Sequence, residues 1–249
     1  MSLRRVYKPY GRAYQDSDGR TYPGVTSILN ILSKPFLSPW QLSMMEGDIK
    51  QQLINSIDGE CELNIKSIVE KSKKAADKYR DERAALGTRI HSAIEKRFNG
   101  EDLTELRKKD HKLSAIMFQI EKWITDNELD PILVEAYLVS KKYGYAGACD
   151  LVAKQNTEKF GPQVILVDYK SGKSVSEEQQ WQLAAYAAAY FETYGICPDV
   201  SFLMHIDYDH QTISEEQHLH KSEVPEKFQE FLAIYGAFKA KWKKQLGAK

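Results

Sequence analysis

Four consecutive apolar residues, Val164-Ile165-Leu166-Val167, run directly into Asp168-Tyr169-Lys170. An uninterrupted, mostly β-branched run of that length reads as a buried strand. Such a strand constrains the rest of the chain, because other elements must cover it. Side chains alternate along a strand, so Asp168 and Lys170 project from one face. A carboxylate able to hold a divalent cation then stands beside an ammonium able to meet a phosphate. That pairing suits hydrolysis of a phosphodiester.

The neighbouring segments supply the covering elements. After Pro131, residues 132–139, 144–153 and 163–170 are three strand candidates separated by polar or glycine-bearing turns. An alanine-rich helix over about 176–194 follows, then a strand over 200–206 and a polar strand over 212–219. The segment 222–245 reads as a helix with Phe228, Leu232, Tyr235 and Phe238 on one face. Upstream, residues 4–22 read as short strands around the turn Asp16-Ser17-Asp18-Gly19, and 25–32 as a helix. Pro35 and Pro39 interrupt the chain before helices over 40–55, 64–80, 81–98 and 110–127, with Asn99-Gly100 a stop signal. In the last of these helices Leu113, Ile116, Ile120 and Trp123 share a face. The order predicts an α/β (α+β) fold with a mixed central sheet flanked by helices. Residues 1–86 would form an N-terminal β-turn and helical region and 87–249 the core, the two continuous with one another.

Charge is informative locally rather than globally. The chain carries 35 basic and 35 acidic side chains, so its net charge points neither to nucleic acid nor away from it. Residues 66–112 nevertheless hold fourteen Lys/Arg against nine Asp/Glu. Both ends are basic too: Arg4, Arg5, Lys8 and Arg12 at the start, Lys239, Lys241, Lys243, Lys244 and Lys249 at the finish. Such surfaces can follow a phosphate backbone, or can simply be solvated helix faces. Cys61, Cys149 and Cys197 lack the spacing of a zinc or iron–sulfur site, and no disulfide framework is evident. A reducing compartment is expected: cytoplasmic, or mitochondrial for a eukaryotic source. No apolar run approaches a membrane span, and the arginine-rich start lacks a signal peptide's apolar centre.

Other residues extend the opening pair. Asp150 ends Tyr145-Ala146-Gly147-Ala148-Cys149-Asp150 on the preceding strand, and sequential strands are usually neighbours. Asp150 and Asp168 are therefore placed to share one hard cation, although Asp150 alone reads as well as a solvent-facing strand-end acid. His91 lies in a helical stretch, where a surface role is the commoner one and ligation of Mn²⁺ the sharper one. Gln182 and Tyr186, four apart, share a helix face that either packs on the sheet or supports the lysine and a phosphate. Glu135 interrupts Ile132-Leu133-Val134, as a supporting acid or a strand-edge one. Ser171-Gly172-Lys173-Ser174 imitates the end of a phosphate-binding loop, but Val167 stands where that loop needs its first glycine.

Taken in order, Gly87-Thr88 with His91, Glu135, Gly147 with Asp150, Asp168-Tyr169-Lys170 and Gln182 with Tyr186 resemble the PD-(D/E)XK nuclease superfamily, in its RecB-like exonuclease branch. Tyr22-Pro23-Gly24-Val25-Thr26-Ser27-Ile28-Leu29 with Pro39-Trp40 also looks like the opening of phage-type exonucleases, and is similar to the mitochondrial genome maintenance exonuclease group. The resemblance implies a restriction-endonuclease-like core and a metal-dependent deoxyribonuclease, more an exonuclease than an endonuclease, serving phage or bacterial recombination, replication or repair; the alternatives are a structure-specific endonuclease with the same site and a non-cleaving DNA-binding protein that keeps the fold. It implies one or two Mg²⁺ or Mn²⁺ ions held by His91, Asp150, Asp168 and the Tyr169 carbonyl. Lys170 would be catalytic with Asp168, Asp150 and Glu135, and Gln182 and Tyr186 would support site and substrate. DNA is the implied partner, with a single-strand annealing protein or a helicase beside it and no membrane. The four-cysteine signature of iron–sulfur relatives is absent. Trp40, Tyr143, Tyr145 and the basic helices of residues 64–112 are candidates for base stacking and backbone contact.

Overall fold

A computed structural model describes residues 3–32, 37–57, 71–72, 74–158, 161–171 and 177–247. Cys61, the start of the helix expected over 64–80, and Gly172-Lys173-Ser174 lie outside these residues, as does the Trp40 side chain. The chain opens with an antiparallel sheet of β1 (Leu3–Lys8), β2 (Gly11–Asp16) and β3 (Thr21–Pro23). Asp16 closes the expected turn: its carboxylate accepts the N–H groups of Asp18 and Arg20 and the Tyr22 hydroxyl. Helices α1 (Val25–Leu29) and α2 (Leu37–Ile57) follow.

One helix, α3 (Ala75–Phe98), replaces the expected break between residues 80 and 81. Neither Pro nor Gly stands at Arg80-Asp81, so nothing there interrupts the backbone ladder. The stop at Asn99-Gly100 is present: Gly100 has φ +72° and Glu101 N–H reaches Lys96 C=O at 2.9 Å. Next come α4 (Thr104–Lys109) and α5 (His111–Asp126). Asp110 caps α5 by accepting Leu113 N–H, and the helix buries Leu113, Ile116, Met117, Ile120 and Trp123.

The described residues fall into two compact units, Met1–Ile31 with Ile90–Lys249, and Leu32–Arg89. The first 31 residues thus pack with the later chain rather than with the helical segment that follows them. Tyr10 and Ala13 enter the main core, and Gly24 bridges to Ala146. Within the second unit, buried Ser72 donates to Asp48 at 2.7 Å.

The central sheet has the order β4 (Asp130–Ser140), β5 (Tyr145–Thr157), β6 (Gly161–Lys170), β7 (Val200–Asp207), β8 (Thr212–His220). All neighbours are antiparallel except β6 and β7, whose parallel pairing uses α6 (Glu178–Tyr194) as the crossover. Helix α7 (Val224–Lys241) joins α6 on one face, where Leu166, Leu203, Leu183, Phe231 and Phe238 share a core. Phe202 points the other way and meets Trp123 of α5 edge-on. The sheet is mixed and flanked by helices, as the sequence order predicts. No helix among the described residues is long and apolar enough to cross a membrane.

Beyond a register shift between Pro131 and Leu133, the alternation of β4 and β5 fails at one place. Leu133, Ala136 and Leu138 all pack against the same core, as do Cys149 and Val152. Strict period two would put Leu133 opposite to Ala136, and Val152 opposite to Cys149. Between these residues lie Glu135 and Asp150, absent from the register although Val134↔Leu151 and Ala136↔Cys149 are paired on either side. Glu135 has φ +48°, the left-handed region that a glutamate rarely enters. Strain of this kind persists only where surrounding structure imposes it, and it concentrates at functional sites.

Candidate active site

Asp168 and Lys170 do share a face. Lys170 Nζ lies 2.5 Å from Asp168 Oδ2 and 3.3 Å from Gln182 Oε1. Gln182 Nε2 donates to Asp168 Oδ1 at 2.8 Å and to the Tyr186 hydroxyl at 3.0 Å. Helix α6 therefore supplies an amide that grips acid and base alike, and the i, i+4 spacing lets Tyr186 hold that amide. Gly147 on β5 leaves room for the phenol, since a Cβ there would collide with the Tyr186 ring.

One strand away, Asp150 occupies the point where β5 and β6 part. Their ladder ends at Leu151↔Val167. Beyond it Asp150 Oδ2 accepts Tyr169 N–H at 2.6 Å, a side chain taking over from the backbone. The other oxygen, Oδ1, lies 3.3 Å from His91 Nδ1, and Glu135 Oε1 stands at the same distance. His91 comes from α3, with its ring edge-on to Tyr169 at 5.7 Å.

Burial governs the charges here. Burial works against charging His91, but Asp150 and Glu135 outweigh it and raise its pKa to about 10. Asp168 is pushed up to about 6 by burial and by Asp150, against the pull of Lys170. Burial also opposes the charge of Lys170, yet Asp168 prevails and keeps the ammonium protonated above its ordinary range. The phenols of Tyr169 and Tyr186 are driven far up by burial and stay neutral.

His91, Glu135 and Asp150 offer one nitrogen and two carboxylate oxygens within 4.8 Å of one another. Glu135 Oε1 is buried and accepts no hydrogen bond among the described residues. A hard-to-borderline divalent cation such as Mg²⁺ or Mn²⁺ fits this donor set, which contains no thiolate. Asp168, expected among the ligands, stands outside the trio with its carboxylate held by Lys170 and Gln182. Glu135, expected among the catalytic residues but not among the ligands, is inside it.

Two further placements differ from the sequence reading. Tyr145 is fully buried, its hydroxyl on Ala185 C=O and its ring against Phe231, so it is not available to stack on a base. Tyr143 packs edge-on against Phe228. Arg12 of β2, in the sequence merely one of several N-terminal cations, lies close enough to Lys170 to oppose its charge. No local pattern marks it, because the approach depends on how the N-terminal sheet docks.

The sequence model of the PD-(D/E)XK nuclease superfamily matches residues 67–244. No curated protein matches the chain. Among solved structures, a provisionally named exonuclease from Eubacterium rectale shares 13% identity over 59% of this chain, with a TM-score of 0.37. This chain spans 66% of that one, just under two thirds. The protein SSO0001 shares 14% identity over 77% of this chain and 86% of its own, at a TM-score of 0.29. An alkaline exonuclease from Laribacter hongkongensis shares 11% over 65% and 84%, at 0.32.

Proposed function

The chain belongs to the PD-(D/E)XK nuclease superfamily, and from that premise we propose that it is a divalent-metal-dependent DNA exonuclease acting in recombination, replication or repair. One juxtaposition carries the reading. A trio of hard donors, His91, Glu135 and Asp150, adjoins a buried ammonium, Lys170, fixed by Asp168 and Gln182.

His91, Glu135 and Asp150 would hold the cation, with Asp168 and the Tyr169 carbonyl on the adjoining strand. When bound, such a cation supplies Lewis acidity at phosphate and lowers the pKa of water. Lys170 orients the attacking water or offsets negative charge developing on the scissile phosphate, an electrostatic contribution already in place before reaction. Asp168 and Gln182 aim that ammonium, and Tyr186 fixes Gln182. The backbone ladder of β5 and β6 ends at Leu151 and Val167, and a substrate would approach the site at these strand ends. A single-strand annealing protein, which would take up the strand such an exonuclease exposes, or a helicase, which would supply one, is the expected partner.

Digestion of end-labelled linear DNA and of covalently closed circles, with Mg²⁺ or Mn²⁺, tests the reading. Progressive shortening of linear DNA with circles left intact is expected, and Lys170→Ala should abolish it while the circular dichroism spectrum is unchanged. Equal activity of wild type and Lys170→Ala would sink the assignment of the site. Cutting of closed circles would replace exonuclease with structure-specific endonuclease.

A further inference from the structure

The two basic ends of the chain meet in one cavity. Lys8 from the end of β1, Arg20 from the β2–β3 turn and Lys239 from α7 line a space of about 560 Å³, walled by Tyr10, Tyr22 and Tyr235. No carboxylate is among its lining residues. Of the two acids in the adjoining turn, Asp16 is turned to Tyr22 and to backbone N–H groups, and Asp18 is not among the lining residues. None of the three cations forms an ion pair among the described residues. Two are instead steered by aromatic faces: Lys239 Nζ lies 4.5 Å from the Tyr235 ring centre, and the Arg20 guanidinium 5.2 Å from that of Tyr22. The rings themselves are buried, so they act as walls and not as stacking platforms. Tyr235 also donates to Gly144 C=O at 2.7 Å, tying α7 to the turn before β5.

The position of the cavity selects its ligand. Gly144 lines it, and β5 runs from there to Asp150, six residues or at most about 20 Å along a strand. Arg12, on the hairpin that carries Lys8 and Arg20, comes close to Lys170 at the far end. The sheet that supplies two of the cavity's cations thus also brings a third, Arg12, toward the Lys170 ammonium. A single phosphate could use only one of these two places, whereas a strand with a charge about every 3.4 Å could use both. We infer that the cavity grips backbone phosphates of a nucleic-acid strand at most about six nucleotides from the bond to be cut. This inference rests on the nuclease reading for its cut bond, but its binding step is measurable without cleavage.

The test is fluorescence anisotropy with a labelled oligothymidine of about 12 nucleotides, about twice that spacing, in the presence of a chelator. Wild type is compared with Lys8→Ala/Arg20→Ala/Lys239→Ala. The control Lys241→Ala/Lys243→Ala/Lys244→Ala removes equal charge from exposed positions outside the cavity. The cavity variant is expected to bind at least about 10-fold more weakly. Its salt dependence should flatten by about 2 in log–log slope, since each phosphate neutralised on a single strand contributes about 0.7. The control should stay within about 3-fold. Equal weakening in the control, unchanged affinity of the cavity variant, or equal competition by a mononucleotide at matched phosphate concentration would overturn the inference. Failure of wild type to cleave with Mg²⁺ or Mn²⁺ would instead remove the nuclease reading, while the anisotropy still decides whether the cavity binds a strand.

Discussion

The sharpest electrostatic consequence of this site concerns His91 in the cation-free protein. Its pKa is raised from 6.5 to about 10, because Asp150 and Glu135 overcome the opposing effect of burial. The difference is about 3.5 units, and at about 1.4 kcal/mol per unit its ceiling is about 5 kcal/mol. The ring retains 30% exposure, so solvent screening leaves about 2–3 kcal/mol. The sign follows from linkage: a folded-state pKa above the unfolded value gives stability that is complete below about 6.5 and is lost as pH rises through about 10. Glu135→Gln/Asp150→Asn removes both charges and leaves burial to lower the histidine's proton affinity. Urea unfolding with a chelator, from about pH 6 to about pH 10, should show wild type losing about 2–3 kcal/mol more than this variant. Parallel profiles, or a His91 resonance titrating at the ordinary histidine value in wild type, would refute the reasoning. A ligating histidine must be neutral, so binding of Mn²⁺ near pH 7 should release about one proton.

Two other substitutions probe the surroundings. Gly147→Ala drives a Cβ into the Tyr186 ring, and overpacking of this kind costs about 1–3 kcal/mol. Denaturant melts should register that destabilisation, and cleavage should slow because Gln182 loses its anchor, while Mn²⁺ affinity holds. Asp110→Ala removes the cap of α5 and the hydrogen bond that the Tyr208 hydroxyl donates to this carboxylate. It should destabilise the protein by about 1–2 kcal/mol in urea unfolding and leave the cleavage rate unchanged.

Where the local rules of the chain held, the sequence was a good guide. Val164–Val167 lie at the sheet centre, and strict alternation carried Asp168 and Lys170 to one face and onto Gln182. The apolar face of α5 and the stop at Gly100 were equally legible, since both depend on residues a turn apart. Glu135 was not. Its role depends on a left-handed backbone angle inside a strand, which propensity argues against. The same irregularity turns Asp150 toward His91, so period two misleads at the very residues that matter most. Arg12 and the cavity of Lys8, Arg20 and Lys239 were illegible for another reason. They join residues more than one hundred and fifty positions apart, and only the docking of the first sheet brings them together.

The central claim is that His91, Glu135 and Asp150 hold a divalent cation beside Lys170. Calorimetric titration of Mn²⁺ into wild type, Asp150→Asn and Lys170→Ala tests it most directly. Outer partners of metal ligands alone change affinity by about 10–100-fold, so Asp150→Asn should weaken Mn²⁺ binding by at least about 100-fold. Lys170→Ala should bind Mn²⁺ at least as tightly as wild type, because it removes a neighbouring positive charge. Wild-type affinity in Asp150→Asn, or abolished binding in Lys170→Ala alone, would contradict the account.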